Sequence, residues 1–311
     1  MVNILVTGGA GFLGVAMATA FVERGHTVAS FDVQLHAKLE ALGVEQHVGS
    51  ITDRAALDGV FEAARPEVVV HAAAVVGVAA SINGIAQSVE VNVLGSVHLF
   101  EAALAAGVRR VIDISSEETY GDFSADPISE DDPALPITPY GITKHAVERL
   151  GNYFADQRGL PYHALRFCWV YGPDFPRARI PQSWIDDALA GRSSVEPHGA
   201  EQLIDFTYID DVVDGLVLAV EADELRHRAY HIASGAEIPF SRVAEAIRAE
   251  CPQWNLEMGD GLLEVAPGLR AARKGALDIG RARRDLGYEP RVSIDEGMRK
   301  TLEWYRKQRG S

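Results

Sequence analysis

The stretch Val2–Gly14, VNILVTGGAGFLG, limits what this chain can fold into more than any other: an apolar run that ends in Gly8, Gly11 and Gly14. Val2, Ile4, Leu5 and Val6 read as a buried strand, and a helix reads from Phe12 to Arg24. Glycines at such a junction allow a tight turn and a close approach of ligand to backbone. Free N–H groups and the dipole at the helix N-terminus favour an anion there. A glycine triplet alone is a weak signal, but the strand before it and the helix after it give it a context. The expectation is a dinucleotide whose pyrophosphate rests on Gly8, Gly11, Phe12, Leu13 and Gly14.

Downstream, short apolar runs alternate with helical periodicity, the pattern of a parallel sheet covered on both faces. Strands read at Val2–Thr7, Thr27–Asp32, Val44–Val48, Val68–His71, Arg110–Ser115 and Tyr162–Phe167. Helices read at Phe12–Arg24, Asp53–Ala64, Ile85–Ala106 and Pro139–Arg158. After about Val170 the pattern loosens around Pro173, Pro176, Pro181 and Pro197. Phe206–Ile209 and Ala229–Ala233 read as late strands returning to the main sheet. The expected fold is α/β, a doubly wound parallel sheet of Rossmann type with a smaller C-terminal substrate-binding domain. Residues 1–170, with 204–234 returning to them, form the first domain, and residues 171–311 mainly form the second. Ligands of open α/β sheets bind at the carboxyl edge of the strands.

With 311 residues and 47% hydrophobic content, the chain can fill a substantial core. A formal charge of −15 argues against nucleic acid, because neutralising phosphates takes a basic surface. The acidic excess reads as a solubility feature. Cys168 and Cys251 are far apart and fit neither a disulfide framework nor a metal site. The longest nearly apolar run, Val68–Ala80, contains His71 and is too short to span a bilayer. Met1 leads straight into the first strand, which leaves no room for a cleavable signal. These features lead to the expectation of a cytoplasmic chain with no membrane partner and no metal.

Asp32 ends the second strand 18 residues beyond Gly14, where a carboxylate suits the hydroxyls of an adenosine ribose. A 2′-phosphate would meet like charge there, and no cation follows until Lys38, so NAD is preferred over NADP. The small run Ala72, Ala73 and Ala74 lets the chain pass close to the cofactor. His71 beside it reads as a packed strand-end histidine rather than a catalyst.

Several further segments carry a resemblance. They are TGGAGFLG (Thr7–Gly14), VVHAAA (Val69–Ala74), NVLGS (Asn92–Ser96), ISSEETYG (Ile114–Gly121), PYGITK (Pro139–Lys144), LRFCWVYGP (Leu165–Pro173), DFTYIDDVVDG (Asp205–Gly215) and RARRDLGYEP (Arg281–Pro290). In this order they resemble, nearly end to end, the extended short-chain dehydrogenases/reductases, the group of NAD-dependent epimerases and dehydratases. Tyr140 and Lys144 are four residues apart and so share one helix face. An ammonium beside a phenol favours the phenolate, which can take a proton from an alcohol while hydride leaves the same carbon. Lys144 is also placed to hold the nicotinamide ribose. Ser116 is placed to bond the reacting hydroxyl or carbonyl, as the family's Ser/Thr does. Asn92 matches a helix asparagine that supports the family's active-site network, with plain helix packing as the other reading. Ile51 and Ser50 follow the third strand near the expected adenine.

Glu118 stands where the resembling 4,6-dehydratases and decarboxylases carry an acid two residues after the Ser/Thr. It is either a substrate-facing acid or a solvated loop glutamate, and Glu117 joins Ser116 among the candidate substrate contacts. Two departures from the family stand out. Ser50 replaces an aspartate that lies near the adenine, and its hydroxyl still reaches the adenine amine as a weaker partner. Ile204 replaces the arginine that clamps a substrate diphosphate in nucleotide-sugar members, a loss of about 1.5–3 kcal/mol. Arg177 and Arg179, or Arg270 and Arg273, either replace that cation, hold a carboxylate on a smaller sugar acid, or are solvated.

The resemblance implies an NAD-dependent enzyme that oxidises a secondary hydroxyl of a carbohydrate derivative, a nucleotide sugar or a sugar acid. Return of the hydride to the opposite face gives epimerisation, elimination before return gives dehydration, and release of NADH gives a plain dehydrogenase. A silent dinucleotide sensor is the alternative from another class; retention of Tyr140 and Lys144 speaks against it. Helices Ile85–Ala106 and Pro139–Arg158 resemble those through which the family pairs as a four-helix bundle, so a homodimer is expected.

Overall fold

The computed structural model describes residues 1–176 and 179–310. Seven strands form one parallel sheet: β1 (Asn3–Thr7), β2 (Thr27–Asp32), β3 (Glu45–Val48), β4 (Val68–His71), β5 (Arg110–Ser116), β6 (Tyr162–Phe167) and β7 (Ala229–Ile232). Their spatial order is β3-β2-β1-β4-β5-β6-β7. The order reverses between β1 and β4, where Leu5 lies opposite Val69 and Thr7 opposite His71. A reversal opens a crevice at the carboxyl ends of the two strands, the place where such sheets take ligands.

Side chains alternate across a strand, and the two faces are filled accordingly. Ile4 and Val6 look toward α1 (Phe12–Glu23), meeting Met17 and Phe21 in one buried cluster. Leu5 looks the other way, into a cluster with Leu57 of α2 (Arg54–Ala64), Phe100 of α3 (Gly95–Ala106) and Phe154 of α4 (Pro139–Arg158). Burying a side chain of this size contributes about 1.5–3 kcal/mol. Asp53 does not begin α2 as a helical residue; it caps it, its Oδ1 accepting from Ala55 and Ala56 N–H.

Two sequence expectations are corrected. Phe206–Ile209 does not return to the main sheet. Thr207–Tyr208 pairs instead with Val170–Tyr171 in a separate two-stranded ribbon, and Ile209 begins α5 (Ile209–Glu221). Asp210 and Asp211 in the first turn suit a helix N-terminus, and Phe206 packs among Trp169, Tyr171 and Phe240. Of the segment 204–234, only Ala229–Ile232 joins the sheet, at its edge beside β6. Ile85–Ala106 is not one regular helix either. Its middle, Val89–Leu94, is a turn of wider π geometry.

By length and composition, Ile85–Ala106 is long and apolar enough to cross a membrane, a longer stretch than Val68–Ala80. Its second half instead buries Leu99, Phe100, Ala102 and Ala103 against the sheet. The C-terminal half adds helices Gln182–Leu189, Phe240–Glu250 and Ile294–Gly310 with four two-stranded ribbons. From it the segment Glu264–Leu277 runs back across the loop that follows β5, joined to it by Phe123 N–H to Arg273 O at 2.8 Å and Ile128 N–H to Ala276 O at 3.0 Å.

Candidate active site

At the end of β1, Gly8 adopts a positive φ of 69° and its N–H donates to Phe31 O at 2.8 Å. A Cβ at Gly8 would lie 2.7 Å from Ala73 N, and one at Gly14 would lie 2.2 Å from Gly8 O. The turn is therefore closed to side chains. Gly11 caps α1 with no side-chain hydrogen bond, so the amides of Phe12, Leu13 and Gly14 are without a side-chain cap. Asp32 is half-buried beside them, Oδ2 accepting from Ala10 N–H at 3.1 Å and Oδ1 from Gln34 N–H at 3.3 Å. Ala72 N–H donates to Thr7 O, which draws the Ala72–Ala74 run against the same turn. A bare backbone cradle, an uncapped helix start and a carboxylate at the next strand's end fit a dinucleotide. On the adenine side, Ser50 spends its hydroxyl on its own turn, 2.8 Å from Thr52 Oγ1, and Ile51 is buried against Gly95.

His71 is a structural histidine. Nδ1 lies 2.8 Å from Thr7 Oγ1 and Nε2 2.9 Å from Ser96 Oγ. Burial, helped by the nearby Lys144 charge, pushes its pKa down to about 3 and keeps the ring neutral. Asn92 sits in the π turn and is fully engaged. Its Oδ1 accepts from Val75 N–H at 2.7 Å, and its Nδ2 donates to Val75 O at 3.1 Å and Thr143 Oγ1 at 3.0 Å. The asparagine thus ties the loop after β4 to α4, one residue before Lys144.

Helix α4 begins at Pro139 under the cap of Thr138, whose Oγ1 accepts from Gly141 N–H at 3.1 Å. A Cβ at Gly141 would lie 2.3 Å from Glu118 O, so the first turn of α4 rests directly on the turn Glu117–Tyr120 that follows β5. Tyr140 on this turn of α4 and Ser116 at the end of β5 are both buried. Lys144 is buried as well and donates from Nζ to Ile114 O at 2.6 Å. Burial pushes its pKa down, with Asp113 and Glu148 opposing. Asp113, fully buried on β5, is raised to about 6, chiefly by desolvation.

Glu118 is not a solvated loop residue. Its side chain is 15% exposed, Oε2 accepts from Thr138 Oγ1 at 3.1 Å, and Oε1 lies 3.3 Å from Lys274 Nζ. Glu117 is buried, accepting the Ser116 hydroxyl on Oε2 at 2.7 Å. Burial raises its pKa, with Lys274 the largest opposing influence. Lys274 is buried too. Burial works against its charge, but Glu118 and Glu117 outweigh it and raise the ammonium's pKa.

The candidate arginines are mostly engaged. Arg179 lies 4.8 Å over the rings of both Trp169 and Phe175, donates to Val170 O at 3.2 Å, and its charge reaches Glu117. Arg270 forms a two-pronged pair with Asp122 at 2.9 and 2.8 Å, which holds that carboxyl down at about 2. Arg273 is exposed, and its backbone N–H donates to Asp122 Oδ1. Arg177 lies outside the described residues. Ile204 is buried and pairs with Ile238 across a ribbon.

Sequence reasoning passed over Thr138, Asp113 and Lys274. A threonine before Pro139 is a readable cap signal for a helix start. Lys274 offered no such signal: it stands beside Arg273, four residues past Arg270, and nothing local sets it apart.

The sequence profile of the NAD dependent epimerase/dehydratase family matches residues 4–233. A UDP-glucose 4-epimerase of Mycolicibacterium smegmatis is 32% identical over 97% of this chain and 98% of its own length. A dTDP-glucose 4,6-dehydratase of Neisseria gonorrhoeae is 30% identical over 97% of this chain and 95% of its own. Among solved structures, MoeE5 in complex with UDP-glucuronic acid and NAD superposes with a TM-score of 0.86 at 28% identity, covering 98% of this chain and 99% of that one.

Proposed function

This chain belongs to the NAD-dependent epimerase/dehydratase family of extended short-chain dehydrogenases/reductases, and from that premise we propose that it oxidises a secondary hydroxyl of a carbohydrate derivative with Tyr140 as the acid/base. One observation supports this reading: Tyr140, Lys144 and Ser116 are all buried, Ser116 at the carboxyl end of β5 and the other two on α4, whose first turn rests on the turn that follows β5. Gly8, Gly11, Phe12, Leu13, Gly14 and Asp32 would hold NAD, which supplies the hydride acceptor when bound. Tyr140 takes the hydroxyl proton, and the Lys144 ammonium favours the phenolate that does so. Ser116 orients the reacting oxygen. The part of the chain beyond about residue 170 supplies the substrate side, with Arg179 at its inner end.

Burial of Glu117 and Glu118 favours a dehydratase-type second step. A carboxylate held beside Ser116 can take a proton from the carbon next to the oxidised one. The relatives are named for nucleotide sugars, whereas Ile204, buried and paired with Ile238, offers no cation to a substrate diphosphate. The exposed apolar residues Ile85, Val89, Leu94 and Ile142 on neighbouring helices support pairing of two copies.

The test is incubation of the NAD-loaded protein with UDP-glucose, dTDP-glucose and a panel of free sugar acids, following reduced cofactor and product. A product of inverted configuration marks an epimerase, loss of water a dehydratase, and stoichiometric NADH a dehydrogenase. Tyr140→Phe is expected to lower the rate by about a hundredfold or more. Equal rates in wild type and variant would sink the assignment.

A further inference from the structure

Arg166 is buried on β6, opposite Ser115 of β5. A buried guanidinium needs partners for its N–H groups, and here they come from two elements. Its Nε donates to Glu148 Oε1 at 2.9 Å and its Nη2 to Glu148 Oε2 at 2.6 Å, a two-pronged pair with a carboxylate of α4. Its Nη1 donates to Tyr120 OH at 2.5 Å and to Glu130 O at 3.2 Å, and the guanidinium lies 4.9 Å from the centre of the Tyr120 ring. Tyr120 is the last residue of the turn Glu117–Tyr120, which starts directly after Ser116. Glu148 stands one helical turn beyond Lys144 and two beyond Tyr140, and it also accepts the Ser115 hydroxyl. Tyr120 and Glu148 are buried as well.

We propose that Arg166 is a positioning residue for the candidate active site: one guanidinium clamps the turn that follows Ser116 to the helix that carries Tyr140 and Lys144, and so fixes how those two elements sit against each other. This inference rests on the reading of Tyr140, Lys144 and Ser116 as the groups that meet the substrate alcohol. Acid/base chemistry shared between two elements is sensitive to displacements of about 1 Å, because the reacting atoms must be held in line. The direct contact of the elements, Gly141 on Glu118 O, restrains the first turn of α4, and Arg166 restrains the helix two turns further on. A lysine ammonium lacks the planar fork, and cannot hold both carboxylate oxygens of Glu148 and the Tyr120 hydroxyl together. The clamp is remote from the glycine turn: β6 lies three strands from β1, about 14 Å at the usual strand spacing of about 4.8 Å. The hold of the glycine turn on NAD does not depend on it.

Hydrogen exchange of backbone amides, followed by mass spectrometry of peptide fragments from the NAD-loaded protein, tests the clamp without a substrate. Arg166→Lys is expected to speed exchange about tenfold in residues 117–121 and in the first three turns of α4, with residues 4–16 as in wild type. Exchange unchanged in both segments, or raised equally in the glycine turn, overturns the proposal. With UDP-glucose and dTDP-glucose as probes, Arg166→Lys is expected to oxidise substrate about tenfold more slowly, with KM changed by less than about twofold. A wild-type rate, or a loss expressed only in KM, overturns it as well. Should Arg166→Lys fail to fold, Tyr120→Phe removes one oxygen and keeps the ring. That variant is expected to slow oxidation about threefold and to speed exchange in residues 117–121. A Tyr120→Phe protein unchanged in either measurement overturns the proposal. If wild type oxidises neither probe, the functional reading fails, and the exchange pattern still decides whether Arg166 joins the two elements.

Discussion

Asp113 occupies a difficult place on β5. Its Oδ2 accepts from Tyr162 OH at 2.9 Å, while Oδ1 is buried with no hydrogen-bond partner among the described residues. Burial raises its pKa to about 6, against about 3.9 for an aspartate in an unfolded chain. Between those values the folded state binds the proton more tightly, so Asp113 withdraws stability as pH rises from about 4 to about 6, and the loss persists above that. Asp113→Asn removes this dependence. Its unfolding free energy relative to wild type is expected to rise by on the order of 2 kcal/mol between pH 4 and pH 7, measured by urea denaturation at each pH. A difference that stays flat with pH would show that Asp113 carries no such burden. At this scale the short-range part of the candidate site was legible as placement: Tyr140 and Lys144 share a helix, as their spacing predicts, and Ser116 ends a strand. Lys274 was not, because its partner Glu118 is far away in sequence and no local pattern encodes a long-range ion pair.

Among the elements, the start of α4 is tied to the turn that follows β5 by a single side chain. Thr138 accepts from Gly141 N–H and donates to Glu118 Oε2, so one hydroxyl serves both the helix and the acid turn. Thr138→Ala is expected to cost about 1–2 kcal/mol of stability by chemical denaturation and to lower turnover, with Thr138→Ser restoring both. Loss of stability without loss of turnover would separate the cap from the site. Asn92 gives a second case. Replacing it by Ala strands the half-buried Val75 N–H, at about 1 kcal/mol, and frees the loop after β4 from α4. A variant as stable as wild type would show that water replaces the amide. The strands of the sheet were legible because they are apolar, short and bounded by turns. Phe206–Ile209 misled because it has strand composition, whereas its place is set by aromatic neighbours and by the acidic start of α5. The π turn around Asn92 leaves no mark on apolar periodicity.

Over the whole molecule, the exposed apolar side chains of Val89, Leu94 and Ile142 predict association of two copies. Sedimentation equilibrium is expected to give a dimer for wild type and a monomer for Ile142→Asp with an unchanged circular dichroism spectrum. A wild-type monomer at working concentration refutes the pairing. The broad architecture, a doubly wound sheet with a C-terminal part beside it, followed from the alternation of periods along the chain. Which loop the C-terminal part would touch did not, since that depends on how Glu264–Leu277 is routed in space.

That routing has a bearing on how the protein is made. The glycine turn, Tyr140, Lys144 and both glutamates leave the ribosome well before Lys274 is translated. A nascent chain stopped short of that residue holds Glu118 without the ammonium that pairs with it. The turn that follows β5 therefore gains its last neighbours, and the core its buried Tyr288, Met298 and Leu302, only in the final stretch of translation.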